Sequence, residues 1–172
     1  MLKTAARLAL LCAVLAAWPA SAQTPTAAGP AEALAWRAFQ ACLAISRGAP
    51  LDTAAAQAGF LKDQQGWVAE IGERTLTLEL ATPPSPPGAR ACVVVARGPL
   101  ADHEGFGKRL DAWALKEGFS PAIRGATPGG GQAARYATPD QARAVVLASY
   151  PDTGRPDQPA RTTLFVGWTP AP

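Results

Sequence analysis

The hydrophobic pattern of this chain changes period several times, and each change marks an element. From Ala31 to Arg47 the residues Ala35, Trp36, Phe39, Cys42, Leu43 and Ser46 fall on one arc of a helical wheel, with Arg37, Gln40 and Arg47 off it. Gly48 and Pro50 stop that helix. Asp52 or Thr53 is expected to cap a second, short helix through Ala58, and Gly59 ends it before Phe60 and Leu61 turn back into the core. Trp67, Val68 and Ile71 are apolar but lack a clear period, so they receive no assignment. Thr75 to Leu80 alternates strictly, with three leucines on one face and polar side chains on the other, which predicts a strand.

Ala91 to Ala96 is a short apolar run with three consecutive valines, and reads as a central strand buried on both faces. A third helix is expected from Asp102 to Glu117, with Phe106, Leu110, Trp113 and Ala114 sharing a face, Asp102 as its cap and Gly118 as its stop. Ala133 to Ala137 suits a short edge strand. Ala144 to Tyr150 and Thr162 to Trp168 suit a hairpin with the long loop Pro151 to Ala160. Thr82 to Gly88 contains four prolines and reads as a stiff connector, whereas the glycines of Pro121 to Gly131 make a flexible loop. No internal repeat is visible. Strands joined by loops rather than by regular crossover helices imply an antiparallel arrangement. The expected fold is an α+β two-layer domain, with a four- or five-stranded, mainly antiparallel sheet and helices mainly on one face.

The N-terminus adds a compartment. Lys3 and Arg7 precede an apolar stretch from Leu8 to Ala17, and Ala20-Ser21-Ala22 supplies small residues for cleavage, so residues 1–22 read as an export signal. Residues 23–30 then read as a polar, disordered leader, 31–169 as a single domain and 170–172 as a frayed tail. Removing the signal leaves 14 basic residues against 13 acidic ones. With no basic stripe, that balance gives no reason to expect a nucleic-acid partner. No second segment is apolar enough to span a membrane, and the expected location is periplasmic or secreted.

Cys12 leaves with the signal, and an exported chain with two remaining cysteines most simply joins Cys42 to Cys92. A loop of that size gives roughly 4 kcal/mol in the chain-entropy model, less any native strain.

Catalytic signatures are weak by comparison. His103, the single histidine, stands between Asp102 and Glu104, but consecutive helical residues diverge too far to converge on one metal. There is no His-x-x-x-His or Cys-x-x-Cys, so no metal site or cofactor is expected. Ser46, Ser85, Ser120 and Ser149 lack a nucleophile elbow, and Gly105-Phe106-Gly107 is not a dinucleotide fingerprint. Glu70, Glu73 and Glu79 are scattered as solvated acids usually are. The expectation is a non-catalytic domain that binds a protein or another envelope component, with no catalytic residue assigned. Its expected interaction surface is the final hairpin, through Val145, Tyr150, Phe165 and Trp168, since both faces of those strands carry apolar groups. Two alternatives stand beside it: a small hydrolase using His103 as its acid or base, and a small-molecule carrier with a pocket between helices and sheet. The sequence fixes no oligomeric state.

Overall fold

The alternating strand around Leu76 and Leu78 belongs to a sheet of eight strands, not four or five. The computed structural model describes residues 29–64, 66–72, 74–81, 88–97, 103–152, 154 and 159–169. The expected signal, nearly all of the leader, most of the proline connector, the Asp102 cap and the tail 170–172 lie outside the described residues. In chain order the elements are α1 (Pro30–Ser46), α2 (Leu51–Ala58), β1 (Leu61–Lys62), β2 (Trp67–Ile71), β3 (Arg74–Ala81), β4 (Arg90–Arg97), α3 (His103–Lys116), β5 (Ile123–Ala126), β6 (Gln132–Ala137), β7 (Arg143–Tyr150) and β8 (Arg161–Trp168). Every pairing is antiparallel, and the spatial order is β1-β2-β3-β4-β8-β7-β6-β5.

Three strands account for the correction, and two of them are sheet edges. β1 has two residues, too few for a period. β5 reads Ile-Arg-Gly-Ala with all four residues exposed, so burial leaves no alternation in it. In β2, Trp67, Ala69 and Ile71 share one face, but Val68 on the other face blurs the pattern. Their pairing partners hold these segments extended.

The strand order exposes a duplication that the sequence hides. Each half is a helical segment, a Gly-Phe exit and a four-stranded meander, and the halves meet where β4 pairs with β8. Gly59 and Gly118 both take positive φ, at 94° and 77°. The next amide in each case donates five residues back, from Phe60 to Ala55 and from Phe119 to Ala114. Both phenylalanines are buried, and both chains then run into an edge strand, β1 or β5.

One side of the sheet holds the core. Cys92 lies on it and is bonded to Cys42 of α1, with a Cα–Cα separation of 5.3 Å that suits a disulfide. α1 lies across β4, β8 and β3, with α2 packed beside it. α3 joins the same layer through an aromatic chain in which Trp36 meets Phe106, Phe39 meets Trp113 at 4.7 Å, and Trp113 meets Phe119. Leu76, Leu78, Val94, Val145, Leu147 and Val166 close the core from beneath, each worth roughly 1.5–3 kcal/mol on burial. The Cys92 strand is central as expected, but only one of its faces is covered by described elements.

Candidate interaction surface

Strand register sorts every side chain to the helix side or to the opposite, open side. In β4, Cys92, Val94 and Ala96 point to the core, so Ala91, Val93, Val95 and Arg97 point away. Pairing carries that assignment across the sheet. Val93 stands beside Phe165, Phe165 beside Val146 and Val146 beside Arg135, while Glu79 flanks Val93 from β3. A second row runs Thr77, Val95, Thr163, Ala148. A third, Ala81, Ala91, Gly167, Ala144, contains only small residues. The fourth, at the far end, holds Thr75, Arg97, Arg161 and Tyr150.

The result is an apolar centre with charge around it. Val93, Val95, Val146 and Phe165 are half-buried, the small Ala91 and Ala148 beside them are buried, and no described helix packs on this side. A Cβ at Gly167 would approach Phe165 Cε1 to 2.6 Å, so the phenyl ring lies along its own strand over that glycine. Arg161 stacks over the Tyr150 ring at 4.6 Å. At the sheet edges, Leu61 and Ile123 are the large exposed apolar residues on this side.

The four surface residues expected from sequence divide between the two faces. Tyr150 and Phe165 are on the open side. Val145 is fully buried beneath the helices, and Trp168 faces the helix side against the core. Both strands carry apolar residues on both faces, so alternation alone could not show which set points inward. Sequence pattern alone assigns none of Val93, Val95 and Val146 to a surface, and the register places them at its centre.

A polar cluster sits elsewhere, where α3 crosses β5 and β6. Tyr136 donates its hydroxyl to Asp111 Oδ1 at 2.8 Å, and Arg124 donates to both oxygens of Asp111. Burial pushes the Tyr136 phenol up to about 12, the hydrogen bond to Asp111 and the Asp111 charge add to the rise, and Arg124 opposes it. A phenol held that firmly in its protonated form is a poor proton shuttle near neutrality, and both Asp111 oxygens are engaged. The cluster fastens the edge of the sheet to α3. Sequence reasoning missed it because β5, which supplies Arg124, showed no strand pattern.

His103 opens α3, and its neighbour Glu104 pairs with Lys108 one turn along. Ser46 donates to the Leu43 carbonyl, and the Ser149 hydroxyl bonds the Gln132 backbone, so both serve local backbone structure. Among the described residues no group of three or more His, Cys, Asp or Glu side chains could hold a metal ion. The space between helices and sheet lined by Ala35, Val94, Phe106 and Leu147 amounts to about 10 Å³. That is about one water's worth; open spaces of about 720 and 390 Å³ also lie between helices and sheet, one beside Ile45, Leu51 and Leu80 and the other beside Ala114, Phe119 and Tyr136. A larger open groove of about 840 Å³ runs between α3 and the β5–β6 turn, and its floor includes Asp111 and Arg124, already paired with each other. No helix among the described residues is long and apolar enough to cross a membrane.

Comparison with protein-family models, with curated proteins and with solved structures finds no match to this chain.

Proposed function

We propose that this chain is an exported, non-catalytic binding domain of the periplasm or secreted fraction, and that the open face of its sheet docks a protein. The observation that carries this reading is the row Val93–Phe165–Val146, an apolar centre on the side of an antiparallel sheet that no described helix covers. Uncovered apolar surface with a charged rim is the usual composition of a docking patch. The tripartite N-terminus and the Cys42–Cys92 bridge support the compartment.

The test is capture from envelope extract by the immobilised mature domain. Phe165→Glu and Val146→Glu should lose the captured protein. Leu115→Glu, a control at a residue 77% exposed on α3, should keep it. Thermal melts must show all three folded. Retention of the captured protein by folded Phe165→Glu would overturn the reading.

A further inference from the structure

Two of the charges on the open face, Glu79 and Arg135, are placed symmetrically about one residue. In the row that crosses Phe165, the first neighbours on either side are Val93 and Val146, and the second neighbours are Glu79 and Arg135. An acid and a base thus stand at equal strand distance from a central aromatic ring, with an aliphatic residue between on each side. Among the described residues neither Glu79 nor Arg135 is in an ion pair; Arg135 donates to Gln141 Oε1 at 2.9 Å.

We infer that this face is occupied by a second copy of the chain, packed face to face about a two-fold axis that runs along β8 through Phe165. Rotation about that axis lays Phe165 on its own image, Val93 on Val146 of the second copy, and Glu79 on Arg135 of the second copy. Every two-fold contact occurs twice, so the dimer gains two such charge pairs. The next row brings Val95 over Ala148 and leaves Thr163 on the axis, while the row of small residues puts up no barrier to close approach. Aligned sheets pack about 10 Å apart with a rotation of roughly 30°, which turns the axis about 15° off β8 at Phe165 and leaves an offset the long Glu and Arg side chains can span.

The area suffices. Five strands from β3 to β6, at the usual spacing and rise, present a face about 24 Å wide and about 25 Å long, or roughly 600 Å² per copy. The two copies together bury about 1,200 Å², the lower end of the range for specific interfaces. The end row sets the cost. Arg97 falls opposite Tyr150 of the second copy, whose ring Arg161 already covers, and Arg161 comes nearest its own image, so this row brings arginines together in like-charge approaches that salt screens. Glu70, at the far side of that row, meets no charge.

This assignment rests on the binding reading above and names its partner. Sedimentation equilibrium of the mature protein tests it. The wild type should be a dimer that dissociates on dilution. Glu79→Arg and Arg135→Glu should each weaken it at least about tenfold, because each reversal sets two like-charge pairs across the interface. The double variant should recover to within about threefold of wild type, since the pairs re-form with their signs exchanged. A monomer at all concentrations would overturn the second-copy assignment, as would a dimer insensitive to both reversals. Loss of envelope capture by Phe165→Glu in a protein that sediments as a monomer would then keep the face as a docking surface and refute only its occupant.

Discussion

Replacing Tyr136 with Phe removes one hydroxyl from the junction of α3, β5 and β6, and the structure sets what that should cost. The ring is 1% exposed and keeps its packing in the variant, so the loss is the hydrogen bond to Asp111 at 2.8 Å. Bonds to charged acceptors are worth roughly 1.5–3 kcal/mol. Asp111 is 40% exposed and keeps Arg124, so water can take the vacated site and the cost should fall at the lower end, about 1.5 kcal/mol. The same phenol supplies a pH signature. Its folded pKa is raised above the unfolded value of 10 to about 12. Below pH 10 both states hold the proton and the contribution is intact. Between pH 10 and 12 the unfolded chain releases it first, so stability falls as pH rises, by up to about 2–3 kcal/mol for a shift of that size. Urea unfolding of wild type and Tyr136→Phe at pH 8, 10 and 11.5 measures the difference, and absorbance of tyrosinate follows the titration. The wild-type advantage should be present at pH 8 and vanish by pH 11.5. Equal stabilities at pH 8, or an advantage constant through pH 11.5, would refute the assignment.

Two further outcomes follow from packing. Cys92→Ala should lower stability by roughly 2–4 kcal/mol, and reduction of the wild type should lower its melting temperature similarly, since the bridge closes a separation of 50 residues. Gly131→Ala should cost about 2–3 kcal/mol in a chemical melt, because its new methyl would run into the Ser149 carbonyl oxygen and the Thr127 hydroxyl. Gly125→Ala on β5, where a Cβ meets nothing within 4 Å, should stay within about 0.5 kcal/mol of wild type.

How much of this molecule can be read from its sequence depends on where burial writes a pattern. Thr75 to Leu80 alternates because Leu76 and Leu78 face the core while Thr77 and Glu79 face away, so β3 is legible. The three helices are legible for the same reason, and their glycine stops hold at Gly48, Gly59 and Gly118. β5 is illegible because every residue in it is exposed, and β1 because it is two residues long. With those two strands and the unassigned β2 missing, neither the width of the sheet nor its duplication can be inferred; the Gly-Phe exits at Gly59 and Gly118 are the one shared mark. The surface was half legible. Apolar residues on both faces of β7 and β8 announced that one face lacked a cover, but the choice between Val145 and Val146, or between Trp168 and Gly167, needed the register with β4 and the position of Cys92.

The most direct measurement on the open face is site-specific photocrosslinking in intact cells, with a benzophenone side chain placed at Phe165 and, as control, at Leu115 on α3. The probe at Phe165 should yield a discrete protein adduct, with the mass of two chains if the occupant is a second copy, and the probe at Leu115 should yield none. A face that gives no adduct at Phe165 in folded, exported protein would contradict its role as a binding surface.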